Sequence, residues 1–115
     1  ALASGNIDEA AAATRKGCDI AARLAARDPS VVDWSGRLRR SCLLSEARLA
    51  LTRGESGTAI DAAQQALSNA RSSTEPAAER SADLAEALLF VGEAHRLGGD
   101  RAAASRAWKA ALAEW

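Results

Sequence analysis

Aromatic residues are scarce in this 115-residue chain: one phenylalanine, three tryptophans and no tyrosine, 3% in all. The hydrophobic fraction is nevertheless 48%, and alanine supplies most of it. A core of alanine and leucine with few aromatics is built from closely packed helices rather than from a sheet. Runs of valine, isoleucine and aromatic residues with period two are missing too, so no strand is expected. Charge of one sign is also lacking. Lys+Arg and Asp+Glu both number 15, the net charge is zero, and the signs are interspersed. No basic stripe exists to neutralise phosphates, so nucleic acid is not an expected partner. Electrostatic docking on an anionic membrane is excluded on the same ground.

Histidine occurs once, at His95, and the two cysteines, Cys18 and Cys42, stand far apart in no Cys-x-x-Cys pattern. That leaves too few ligands for a zinc site, so no metal and no cofactor are expected. Both cysteines fall in helical patterns and read as small buried thiols in a reducing compartment. A lone histidine without a nucleophile pattern does not make a catalytic site, and His95 reads as a packed, partly buried side chain. The glycine pairs are turns, since no Gly-x-x-x-x-Gly-Lys follows a strand. An enzyme is therefore not expected. No apolar run approaches the roughly 18 residues that span a bilayer. The chain starts at Ala1 without methionine and carries no signal peptide. It reads as a fragment of a longer cytoplasmic protein.

What is present is a repeated pattern. Residues 99–112 read GDRAAASRAWKAAL, residues 54–67 read GESGTAIDAAQQAL, and residues 5–18 read GNIDEAAAATRKGC. Each opens with glycine and a polar residue and places alanine five residues on, at Ala10, Ala59 and Ala104. The glycines stand 49 and 45 residues apart, a period typical of helical repeat arrays.

Five helices are expected. The first covers 7–27, after a left-handed Gly5 and an N-cap at Asn6, with Asp8 and Glu9 in its first turn and Ala10, Ala13, Gly17, Ile20 and Leu24 inward. Asp28-Pro29-Ser30 breaks it. The second covers 30–53, with Val31, Trp34, Leu38, Cys42, Ala47, Leu49 and Ala50 on a stripe widened by Leu43, Leu44 and Leu51. The third covers 58–70, with Ile60, Ala63, Ala66 and Leu67 inward. The fourth covers 76–97, on Leu84, Leu88, Val91 and His95. The fifth runs from 101 to the end, capped by Asp100, with Ala104, Ala107, Trp108, Ala111, Leu112 and Trp115 on one face. Short turns make such partners antiparallel.

On these residues the chain resembles the tetratricopeptide repeat family, whose unit is 34 residues long. In the last helix pair Leu88, Val91, Gly92 and His95, then Ala104, Trp108 and Ala111, follow the family's order of large, leucine-like, small and tyrosine positions on the first helix and alanine, aromatic and alanine positions on the second. The closing proline position falls beyond Trp115. The middle pair matches at Leu43, Ala47, Ala50, Ala59 and Ala66, but departs at Glu46 and Ala63, where the family has leucine and an aromatic. The first unit keeps a second helix alone, with Ala10 in place and Thr14 and Gly17 departing. Extra residues around 19–39 and 68–84 point to longer helices rather than long loops.

The resemblance implies an all-α fold of antiparallel helix pairs stacked as a right-handed solenoid. It divides the chain at 1–28, 29–73 and 74–115, the first part being the second helix of a truncated repeat. It implies a non-enzymatic interaction scaffold with a protein or peptide partner in a concave groove lined by Ser41, Leu44, Arg48, Leu51, Glu86, Leu89, Glu93 and Arg96. The family's clamp for a C-terminal carboxylate needs lysine and asparagine, where this chain has Ser41, Leu44, Ser45 and Arg48, so a chaperone-tail adaptor is not implied. Trp108 is expected in the core, and Trp115 against a helix outside the fragment, so that an exposed end of the array offers a homodimer contact. The alternative role is a regulatory or self-association arm of a multi-domain bacterial signalling protein or transcription regulator.

Overall fold

Two of the connections between helices, those at Gly54 and at Gly99, are built alike. At the first, Gly54 takes a left-handed φ of 73°; its N–H donates to Leu51 O at 3.1 Å and the Glu55 N–H to Ala50 O at 2.8 Å. At the second, Gly99 takes φ 86°; its N–H donates to Arg96 O at 3.0 Å and the Asp100 N–H to His95 O at 2.9 Å. Both are Schellman closures, which favour a residue without Cβ at the left-handed position. Asp100 then accepts the Ala103 N–H on Oδ1 at 3.0 Å and so caps the next helix, as expected.

The computed structural model describes the backbone of residues 4–28, 30 and 33–114, and the side chains of these apart from 4–6 and 33–35. The described residues hold five α-helices and no strand: α1 (Ser4–Arg27), α2 (Arg39–Arg53), α3 (Ser56–Arg71), α4 (Ala77–Leu97) and α5 (Arg101–Glu114). A wider π-helical segment, Asp33–Leu38, leads into α2, so the expected continuous α-helix from residue 30 is replaced by two segments. Pro76 stands just before α4 with φ −53° and ψ 148°, and its carbonyl accepts the Arg80 N–H at 2.9 Å. The extra residues around 68–84 lie mostly in helix, as α3 extends to Arg71 and α4 runs for 21 residues.

Successive helices pack on one another, and α2 also touches α4 directly. The core between them consists mainly of Leu43, Leu44, Ala47, Ala62, Ala63, Ala66, Leu67, Ala87, Leu88, Val91, Ala107 and Ala111, with Leu84 and Phe90 packed against it. Ala50, Ala59 and Ala94 form a smaller cluster with Leu51 and Ile60. Alanine at these contacts lets helix axes approach closely, so the alanine-rich composition is used at the interfaces.

Several expectations are corrected. Gly5 and Asn6 lie inside α1 rather than forming a turn and a cap, since α1 begins at Ser4 and has no acidic residue in its first turn. The buried residues of α1 are Ala11 and Ala21, with Thr14, Cys18, Leu24 and Ala25 half-buried; Ala13, Gly17 and Ile20 are exposed. The inward face is thus rotated by about one residue toward the one that carries Cys18. Leu38 and Leu112, expected inward, are exposed, Leu112 at 73%. Trp108 is half-buried rather than core. Its indole lies over Gly92, where a Cβ would stand 2.9 Å from Cε2 and closer still to Nε1 and Cδ1. That explains the small residue at position 92. Val31, the side chain of Trp34, and Trp115 lie outside the described residues.

The cysteines are not two separate thiols. Cys18 on α1 and Cys42 on α2 are joined in a disulfide, with Cα atoms 5.2 Å apart. They stand 24 positions apart in the sequence, but α1 packs beside α2 and brings the sulfurs together. Among the described residues no helix is long and apolar enough to cross a membrane.

Candidate functional site

A charged residue on an apolar helical stripe is the local signal that leads to the site. Arg40 shares its face of α2 with Leu43, Leu44 and Ala47, and is itself buried, at 4% exposure. Burying a guanidinium is costly unless its donors are taken up. They are: Nη1 donates to Asn69 Oδ1 at 3.0 Å, and Nη2 to Glu75 Oε1 at 3.2 Å and Asp83 Oδ2 at 2.8 Å. Asn69 comes from α3, Glu75 from the α3–α4 connection and Asp83 from α4, so one side chain ties three segments to α2. Arg37 adds an outer pair, its Nε 3.5 Å from Glu75 Oε1 and its Nη2 3.9 Å from Glu79 Oε2.

The two inner carboxyls are pushed apart in acidity. A hydrogen bond with Asp83, then the guanidinium groups of Arg40 and Arg37, hold Glu75 below the ordinary carboxylate range despite its burial. Burial, then the hydrogen bond with Glu75, pushes Asp83 up, and the Arg40 charge only partly offsets this. Asp83 is therefore the more readily protonated of the two.

Above this network lies a cleft of about 390 Å³ between α2 and α4. Arg37, Arg40, Ser41, Leu44, Ser45 and Arg48 form one wall; Glu75, Glu79, Ala82, Asp83 and Glu86 form the other. Four of the eight expected groove residues meet here: Ser41, Leu44, Arg48 and Glu86. Arg48 crosses toward α4 and sets its guanidinium carbon 5.7 Å from the Phe90 ring centroid, a cation–π distance. The other four do not line this cleft. Leu51 is half-buried against the small Ala50 cluster, and Leu89 is 45% exposed. Glu93 and Arg96 pair with each other at 2.9 Å, three residues apart on α4. Arg96 instead borders a second cavity of about 520 Å³ with Gly99, Arg101, Ala104 and Trp108.

The cleft's inner residues Arg37, Arg40, Glu75 and Asp83 were not visible as a set, because only the fold joins positions up to 43 residues apart. His95 is half-buried on α4. Comparison with family models, with curated proteins and with solved structures found no match to this chain.

Proposed function

We propose that the chain is a non-enzymatic interaction module that holds an extended peptide segment of a partner protein in the α2–α4 cleft. The observation that carries this is the convergence of Ser41, Leu44, Arg48 and Glu86 on one cleft whose base is pinned by the buried Arg40 network. A wall braced in that way is pre-organised, which lowers the ordering cost of binding. The walls offer Leu44 and Ala82 as apolar contacts, two serine hydroxyls for backbone groups, and Arg48 opposite Glu86 for side chains of either sign.

The architecture proposed with it is a tetratricopeptide-like array, in which α2–α3 and α4–α5 are antiparallel repeat pairs of a right-handed solenoid and α1 is the remnant of a preceding pair. Supporting it are the two matching Schellman turns, the direct α2–α4 packing, and Cα extents of 40 × 38 × 18 Å, a thickness of about two helix layers at ~9 Å spacing. A second reading, a self-association or regulatory arm of a bacterial multi-domain protein, is favoured by Leu112, 73% exposed on the last helix. The cytoplasm proposed for either would keep Cys18 and Cys42 as thiols, whereas an oxidising compartment would keep the disulfide.

The test is selection of peptides from a random library on the intact chain, followed by titration against Arg48→Glu and Glu86→Arg of verified helicity. Selected peptides should bind in the micromolar range and lose about tenfold or more with either variant, as expected for a charge-assisted contact worth about 1.5–3 kcal/mol. Peptides that bind both variants like wild type, but lose affinity with Leu112→Glu, would replace the cleft by the end of the array.

A further inference from the structure

The disulfide has a neighbour that its structural role leaves unexplained. Glu46 stands one turn after Cys42 on α2, and its Oε1 lies 3.7 Å from Cys42 Sγ. The two sulfurs and a Glu46 oxygen all lie within 4.8 Å of one another. On the other side, Arg39 Nη1 lies 3.8 Å from the same sulfur. Cys18 and Cys42 open onto a cleft of about 360 Å³ along the α1–α2 seam, with Ser41 and Ser45 on its rim. Cys18 is half-buried and Cys42 buried, at 7% exposure, so this cleft is their opening to a small reductant or an ion.

We propose that Cys18, Cys42 and Glu46 form a redox-gated site for a thiophilic divalent cation of the zinc class. The disulfide is its closed form and the dithiol its binding form. The geometry is near what such an ion requires. With Zn–S of about 2.3 Å and Zn–O of about 2.0 Å in a tetrahedron, sulfurs stand about 3.8 Å apart and sulfur and oxygen about 3.5 Å apart. The Cys42–Glu46 distance already meets the second value. Cleavage of the S–S bond lets rotation about the cysteine side chains supply the first. The charges also balance: two thiolates and Glu46 against Arg39 leave two negative charges, which one divalent cation neutralises. Three protein ligands leave a fourth position for water.

The opening step is thiol–disulfide exchange with a small-molecule dithiol. Its two S–H groups give up two electrons and two protons, the Cys18–Cys42 bond breaks, and the reductant leaves as its own disulfide. Binding the cation then releases the two thiol protons to water. Exchange with a small-molecule disulfide runs the step in reverse: the Cys18–Cys42 bond forms, the oxidant's S–S bond breaks, its two sulfurs take up the two electrons and two protons from water and leave as thiols, and the ion is expelled. In either state α1 is held to α2, by a covalent bond in one and by coordination in the other.

The experiment uses the full chain, reduced with a phosphine rather than a thiol so that the reductant does not compete for metal. Cd²⁺ alone is titrated in, and the ultraviolet thiolate-to-metal charge-transfer band is recorded. Reduced protein should take one Cd²⁺ per monomer and develop the band, and Zn²⁺ should displace it while Mg²⁺ does not. The oxidised chain and Cys42→Ser should show no band. Glu46→Gln keeps both cysteines and the fold, and should weaken binding by at least about tenfold. No band with the reduced chain, equal affinity for Glu46→Gln, or one ion shared by two chains would each overturn the proposal.

Discussion

Arg40 is the most consequential single side chain in the protein, and its removal gives the sharpest test of how the helices are held. Arg40→Met keeps most of the apolar stem but deletes a guanidinium that is 95% shielded and bonded to Asn69, Glu75 and Asp83. Two partly buried carboxyls then lose their common partner. Breaking a buried ion pair from one side costs about 3–5 kcal/mol. Two features reduce that here: Arg37 remains beside Glu75, and Asp83 ionises less readily than an ordinary carboxyl. The lower end, about 3 kcal/mol, is therefore expected. A domain of this size is stable by roughly 5–15 kcal/mol, so the loss is a large fraction. It should lower Tm by about 12 °C, at roughly 4 °C per kcal/mol. The assay is urea unfolding followed by far-ultraviolet circular dichroism, with the free energy compared at constant m. The triple variant Arg40→Met, Glu75→Gln, Asp83→Asn should recover about half of the loss, because no ionised carboxyl is then left without a counter-charge. A loss under 1 kcal/mol for Arg40→Met alone would refute the reasoning, since the network would then be decoration on a core that stands without it.

Gly92→Ala should destabilise by about 1–3 kcal/mol despite the helix propensity of alanine, because its Cβ displaces the Trp108 indole; a red shift of tryptophan emission with unchanged helicity checks it. The Glu75–Asp83 pair should also leave a mark on the pH profile. Asp83 has a raised folded-state pKa, so its contribution is fully present below the ordinary value of 3.8 and is lost as pH rises through the raised value. Glu75 runs the other way: its contribution is present above 4.5 and is lost as pH falls through its lowered value. Asp83→Asn should therefore remove the decline of stability that wild type shows on going up from about pH 4, while keeping the acid-side loss due to Glu75. Urea midpoints at half-unit pH steps measure both.

How much of this was legible in advance differs from element to element. The positions of α3, α4 and α5 follow from three- and four-residue spacing and from Gly54, Pro76, Gly99 and Asp100, because those signals act within one or two turns. A small residue was expected at Gly92, but not that the Trp108 indole would lie over it, since Trp108 was expected in the core. The inward face of α1 was not readable. Eight of the 24 residues of α1 are alanine, and such small side chains let the helix pack at several rotations of similar energy. Of the expected groove residues that do not line the cleft, Glu93 and Arg96 pair with each other on α4, Leu51 packs with the small Ala50 cluster and Leu89 is exposed.

The sequence by itself determined that the chain is helical, that it turns at Gly54 and at Gly99, and that alanine forms its contacts, since period, capping and size are local properties. Only the tertiary structure decided that Cys18 meets Cys42 beside Glu46, and that Arg40 is buried among Asn69, Glu75 and Asp83. Those groups lie 24 to 43 residues apart, and no local preference brings them together. Their meeting depends on how each helix is rotated and stacked, which is settled by packing across the whole core.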